Sequence, residues 1–218
     1  LITDKEVHAS IIDGVRMAKV GKNVHTRVFK HNDPADLESV LLACPDEAGK
    51  LIAVDGVFSM EGDIADLPNI VKLAKAHGAR VMVDDAHAIG VLGEGGRGTA
   101  EHFGLEDQVD LIMGTYSKSL AAIGGFVVGS KIVIDCIKHT GRSMIFSASL
   151  PPALVASVTA ALDIIEEQPQ LRTQLWKNTH KMLKSYKELG YDTGTSETPI
   201  IPIIIKDSMK VYDMCKLL

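Results

Sequence analysis

Val109-Asp110-Leu111-Ile112-Met113-Gly114-Thr115-Tyr116-Ser117-Lys118-Ser119 decides how this chain of 218 residues is read. The apolar run Val109–Met113 predicts a buried strand, and it ends in hydroxyls grouped around one lysine. A lysine in that setting is badly placed for an ordinary surface charge. It suits a Schiff base with an aldehyde whose phosphate the hydroxyls can hold. Upstream, Arg80-Val81-Met82-Val83 predicts a second strand, which runs directly into Asp84-Asp85-Ala86-His87. One strand end thus offers a carboxylate and an imidazole, and another offers an amine.

Working outward, short apolar runs alternate with amphipathic stretches. Helices are predicted over Ser10–Val20, Pro34–Ala43, Leu67–His77, Lys131–His139, Pro151–Glu167 and Pro169–Leu189. Asp33 is placed to cap the second of these, Pro34 opens it, and Gly78 and Gly190 follow helix ends. Further strands are expected over Lys50–Val57 and Gly124–Val128. Strands separated by helices mean an α/β domain with a mostly parallel sheet. In such sheets ligands gather beyond the carboxyl ends of the strands. The polar clusters Asp55–Ser59, Asp84–His87 and Thr115–Lys118 all fall there. After residue 192 the texture changes. Ile200–Ile205 reads as a strand leading into a helix from Ser208 to Leu218, so residues 1–192 read as a large domain and 193–218 as the start of a smaller one. Leu1-Ile2-Thr3-Asp4 reads as the tail of a strand already under way, and the sequence as a fragment of a longer enzyme.

Composition bounds the function. Hydrophobic residues make up 46% and charged residues 23%, ordinary for a globular protein, and the net charge of −5 argues against a general binder of nucleic acid or anionic membrane. No apolar run approaches the roughly 20 residues that span a bilayer, and the opening residues carry no signal-peptide pattern. Cys44, Cys136 and Cys215 are odd in number and far apart. They read as reduced thiols of a cytoplasmic protein, not as a disulfide frame or a metal site.

The strand-end residues match what pyridoxal 5'-phosphate (PLP) needs: an amine for its aldehyde, an acid for its pyridine nitrogen, a partner for its ring hydroxyl and donors for its phosphate. Asp84 is the candidate acid, because a carboxylate stabilises a neighbouring pyridinium. Asp85 should point to the other side of the strand. His87 can reach the ring hydroxyl, Ala86 is small enough to lie under the ring, and Thr115 and Ser117 can donate to the phosphate. Taken singly, Asp-Asp is commonly a turn or a helix cap, His87 a structural histidine and Lys118 a surface charge. Together, in this order and spacing, they point to one site. Gly93-Glu94-Gly95-Gly96-Arg97-Gly98 lacks the phosphate-loop ending and the dinucleotide spacing, so it reads as a flexible turn.

Four segments carry a resemblance: Gly56-Val57-Phe58-Ser59-Met60-Glu61-Gly62-Asp63, Val83–His87, Gly114–Ser119 and Phe146-Ser147-Ala148-Ser149-Leu150-Pro151-Pro152. They resemble the α-oxoamine synthases, PLP enzymes of fold type I that condense an amino acid with an acyl-CoA and release CO2. The resemblance implies a fold type I large domain and assigns roles. Lys118 would bind the cofactor aldehyde and Asp84 would pair with the pyridine nitrogen. Ser59 and His87 would bond the ring hydroxyl. His8 and Ala86 would cover the two ring faces, and Thr115 and Ser117 would hold the phosphate. Ser147 and Ala148 would reach it from the neighbouring subunit of a homodimer with shared sites. The phosphate-capping loop would lie before Leu1 and the arginine for the substrate carboxylate after Leu218, so the chain alone would not be a complete catalyst.

Ser117-Lys118-Ser119 and Phe146-Ser147-Ala148-Ser149 are most similar to the branch that joins L-serine to palmitoyl-CoA in sphingolipid synthesis. Rival branches take glycine with acetyl-CoA or alanine with a pimeloyl thioester. An aminotransferase shares the fold, but Phe146–Pro152 argues against it, and Lys118 argues against a catalytically idle subunit. A membrane-peripheral contact, to deliver a lipid product, is compatible with this reading.

Overall fold

The computed structural model describes residues 1–20 and 23–217. Among them, six strands form one sheet: β1 (Ile2–Asp4), β2 (Arg27–Phe29), β3 (Lys50–Asp55), β4 (Ala79–Asp84), β5 (Leu111–Thr115) and β6 (Gly125–Gly129). Their order is β2-β1-β3-β4-β5-β6, and every neighbouring pair is parallel except the β5–β6 hairpin. The chain steps outward from β1 to β2, then returns past β1 to β3. This reversal opens a crevice at the carboxyl ends of β1 and β3, where such sheets bind ligands.

Helices α1 (Ala9–Ala18), α2 (Pro34–Leu42) and α3 (Leu67–Ala76) link these strands. Local chemistry sets their limits. Asp33 caps α2 by accepting from Asp36 N at 3.0 Å, with Pro34 at the first turn. Asp66 caps α3 in the same way, and Gly78, at φ +63°, ends it in the left-handed region. Leu37 and Leu41 of α2 and Leu67, Ile70 and Val71 of α3 bury against Ile52, Val54, Val81 and Val83 of the sheet. Burying each such side chain stabilises the fold by about 1.5–3 kcal/mol relative to exposing it. On a second core, Ile89 and Leu120 meet Val158 of α7 (Pro152–Glu167). Between these lie α4 (Thr99–Phe103), α5 (Lys131–Thr140) and α6 (Arg142–Ile145), and beyond them α8 (Pro169–Glu188) and α9 (Ser208–Leu217). Leu218, the last residue of the helix predicted from Ser208, lies outside the described residues.

Several expectations change. Ile200–Ile205 forms no strand. The run is apolar, but no neighbouring strand offers it a ladder, and Ile204 N donates instead to Asp192 O. The strand predicted over Val109–Met113 begins two residues later and is half-buried, because the β5–β6 edge of the sheet is open, with β6 largely exposed. Lys118, beyond its end, is exposed. The run predicted as a flexible turn, Gly93–Gly98, is held by bonds from Gly95 N and Arg97 N to Glu101.

Candidate active site

The carboxyl ends of β1, β3, β4 and β5 bring most of the predicted site residues together. Asp55 and Asp84 are register partners on adjacent parallel strands, so both side chains leave the same face of the sheet. Both are almost fully buried. Asp84 Oδ1 accepts from Ala86 N at 3.0 Å, which shapes the turn that carries Ala86 and His87. Asp55 Oδ1 accepts from His8 N at 3.1 Å and ties the β1–α1 loop to the end of β3. His8 caps α1: its Nδ1 lies 3.3 Å from Ser10 N and 2.8 Å from Ser10 Oγ. Both contacts suit the tautomer with its proton on Nε2.

Asp85 turns the other way. It is fully buried, and its Oδ2 accepts from Thr99 N at 2.9 Å, so it caps α4 from 14 residues away. Burial pushes its carboxyl up to about 6, against the hydrogen bonds from Thr99. Gly56 and Gly98 make room for it: a Cβ on either would fall about 2 Å from an Asp85 oxygen, at 2.0 Å and 2.2 Å.

The electrostatics show how close the functional groups lie. Burial pushes Asp55 up to about 7; the bond from His8 N opposes this, Asp84 and Asp4 add to it, and the Lys118 charge draws it back. Burial lowers His87 to about 4, with the charges of Lys118 and His8 adding to the effect, so its imidazole is neutral at neutral pH. Lys118 therefore sits within electrostatic reach of both Asp55 and His87. It lies on a tight loop, in which Ala121 N donates to Lys118 O and Tyr116 N to Gly124 O. Ala121 has φ +49°, a left-handed conformation that costs a non-glycine residue about 1–3 kcal/mol.

The fit to a phosphorylated aldehyde is testable on one atom. Thr115 Oγ1 is buried and has no partner among the described residues. A buried hydroxyl without a partner costs about 1–3 kcal/mol, and an incoming phosphate oxygen would satisfy it. Ser117 is exposed and Ser59 half-buried, while Ala86 is buried. Ser147 and Ala148 stand apart on an exposed loop after α6, and no hydrogen bond joins them to the cluster within the described residues. Sequence reading gave Asp55 no individual role. Its signal was its place at a strand end in register with Asp84, which only the pairing reveals.

The comparisons agree with this geometry. The family model "Aminotransferase class I and II" matches residues 1–217. A serine palmitoyltransferase of Sphingobacterium spiritivorum is 50% identical over 220 residues, covering 100% of this chain and 54% of the relative. An 8-amino-7-oxononanoate synthase of Bacillus velezensis is 46% identical over 218 residues, covering 100% of this chain and 55% of the relative. A serine palmitoyltransferase of S. paucimobilis, solved with PLP and myriocin bound, superposes with a TM-score of 0.90 at 38% identity, over 96% of this chain and 54% of that one. The chain spans about half the length of the relatives it matches. With the family model covering nearly every residue, this chain belongs to the aminotransferase class I and II family.

Proposed function

We propose that the protein is a PLP-dependent acyltransferase of the α-oxoamine synthase group. It condenses L-serine with a long-chain acyl-CoA, palmitoyl-CoA, to give 3-ketodihydrosphingosine, CoA and CO2. The observation that carries this reading is the convergence of Lys118, His87 and the register-paired Asp55 and Asp84 at neighbouring strand ends. The similarity to a solved serine palmitoyltransferase with PLP bound supports the cofactor.

Bound PLP would supply an electron sink for charge developing at the substrate α-carbon. Lys118 Nζ would hold it covalently and, once displaced by the substrate amine, would take the α-proton. Asp84 would keep a positive charge on the ring nitrogen by its own negative charge. His87, neutral at the pH of catalysis, and Ser59 would bond the ring hydroxyl. Thr115 Oγ1 and Ser117 would bind the phosphate, His8 and Ala86 would enclose the ring, and His8 would also orient the substrate.

We assign residues 1–192 to the cofactor-binding large domain and 193–218 to the start of a smaller one. Thr193, Ser196 and Thr198 are nonetheless buried, with Thr198 Oγ1 donating to Gly62 O, so the second segment begins docked on the first. We also propose a homodimer in which Ser147 and Ala148 complete the partner's site. The exposure of Met144, Ile145 and Phe146 beside them supports an apolar interface there. No helix among the described residues is long and apolar enough to cross a membrane, which is compatible with a cytoplasmic location.

Sequence identity to the 8-amino-7-oxononanoate synthase is nearly as high, which favours alanine with a pimeloyl thioester as the second reading. One experiment separates them. Full-length protein should absorb in the visible, and borohydride should fix the cofactor to Lys118. Serine should perturb the spectrum at lower concentration than alanine or glycine, and palmitoyl-CoA should then be consumed fastest. A label on another lysine sinks the site. Alanine with pimeloyl-CoA as the better pair sinks the serine reading and leaves the condensation chemistry standing.

A further inference from the structure

His31 belongs to no part of the chemistry above, yet it is built into the structure from both sides. Its Nδ1 lies 3.0 Å from Asp4 Oδ1 and its Nε2 3.0 Å from Asp63 Oδ2. Both carboxylates are buried. Its ring meets Phe58 edge-on, with centroids 4.4 Å apart. A neutral imidazole has one N–H and cannot donate to two carboxylates at once. Asp4 already accepts from Glu6 N and Asn32 N, both at 2.8 Å, so its two oxygens are held in place. The Asp63 side chain brings only the contact to His31, its Oδ1 being buried without a partner among the described residues, and with one carboxylate at each ring nitrogen the ring is an imidazolium. Burial opposes that charge, but the bonds and charges of Asp4 and then Asp63 outweigh it, and the pKa of His31 is raised. No group of His, Cys, Asp and Glu among the described residues is arranged to hold a metal ion, so the cluster is a hydrogen-bonded one.

The next residue continues the stitching. Asn32, at φ +50°, donates from Nδ2 to Ile64 O and accepts at Oδ1 from Asp66 N, both at 2.8 Å. His31 and Asn32 thus join the end of β1 to residues 57–66. That segment is a hairpin: Val57 bridges Ile64, Phe58 N donates to Asp63 O, and Gly62 N donates to Phe58 O. Ser59 rides on it. On the other arm, β1 leads within four residues from Asp4 to His8.

We propose that His31 is a positioning residue of the cofactor site, an imidazolium clamp that fixes the Ser59 hairpin against the strand end leading to His8. It touches neither cofactor nor substrate and acts through Ser59. This rests on the PLP reading of the site, and the test keeps the two apart. A clamp that holds one arm of a site matters to ligand affinity because a loosened ligand must be re-ordered on binding. It differs from a general support of the fold because its effect disappears when the group it positions is removed.

The test is a double-mutant cycle in full-length protein stripped of cofactor. Wild type, His31→Gln, Ser59→Ala and the double variant are titrated with PLP by visible absorbance, and the melting temperature of each cofactor-free form is recorded. His31→Gln should weaken PLP binding about tenfold in the wild-type background, and by no more than about twofold once Ser59 is alanine. An effect of equal size in both backgrounds would show a merely structural role and overturn the proposal. So would a lower melting temperature with unchanged PLP affinity, or equal affinities for wild type and Ser59→Ala. Wild type that binds no PLP overturns the functional reading itself, and this inference with it. If His31→Gln does not fold, Asp63→Asn takes its place in the same cycle.

Discussion

Asp55 should make the protein less stable as pH rises from acid to neutral, and Asp55→Asn should remove that loss. The carboxyl is almost fully buried, lies beside Asp84 and Asp4, and is pushed up to about 7. In the unfolded chain an aspartate loses its proton near pH 3.9. Between these values the folded protein holds one proton more than the unfolded chain, so stability falls with rising pH, by about 1.4 kcal/mol per pH unit. The loss reaches roughly 4 kcal/mol by pH 7 as an upper figure, then levels off. Asparagine cannot ionise, and it keeps an oxygen for the bond from His8 N. The stability of the variant relative to wild type should therefore grow by about 2–3 kcal/mol between pH 5 and pH 8. Denaturant unfolding of the cofactor-free protein at pH 5, 6, 7 and 8 reads this directly. Lys118 pulls Asp55 the other way, so Lys118→Ala should move the titration to higher pH. A stability difference that is flat from pH 5 to pH 8 would refute the argument, because it would mean that Asp55 titrates alike in both states.

Asp84→Asn should lower turnover at least about 100-fold, equivalent to about 2.7 kcal/mol of barrier, whereas Asp85→Asn should stay within a few-fold; steady-state kinetics with the reverse ranking would exchange their roles. Gly56→Ala places a Cβ 2.0 Å from Asp85 Oδ1 and 2.3 Å from Thr99 Oγ1, and neither can yield, because Asp85 is fully buried and holds Thr99 N. The clash should cost about 3 kcal/mol and lower the melting temperature by about 6–12 °C, and a melt within 2 °C of wild type (roughly one kcal/mol or less) would show that the strand end gives way.

What was legible in the sequence is what local chemistry determines. The runs ending at Asp55, Asp84 and Thr115 carry their own periodicity, and their polar ends follow directly. Asp33 and Pro34 mark the start of α2, and Gly78 the end of α3, without help from the fold. β2 escaped notice because it is three residues long and buries only Phe29, too little for any pattern. α4 escaped because its cap is not local: the acceptor for Thr99 N is Asp85, on another strand end. Ile200–Ile205 misled for the converse reason, since an apolar run is a strand only where a partner supplies the ladder.

The same distinction explains the charges. Asp4, Asp55 and Asp84 each end a strand, and each alone reads as a cap or a turn. The parallel register sets Asp55 beside Asp84, and the return of the chain past β1 brings Asp4 near Asp55. Buried carboxylates crowded in this way destabilise the cofactor-free fold, because each ionisation opposes the next. Among the described residues, two cations answer them. The His31 imidazolium sits between Asp4 and Asp63, while the Lys118 amine, exposed on its loop, is close enough to lower Asp55. Among the described residues Asp84 makes no salt bridge, and its side chain accepts from a backbone amide, Ala86 N. On the reading proposed above, Asp84, at the end of β4 beside the crevice at the ends of β1 and β3, is the group that would meet a protonated ring nitrogen. The surplus negative charge is thus a cost of the empty fold that a cationic ligand would offset, and that is the physical sense in which the site is built for one.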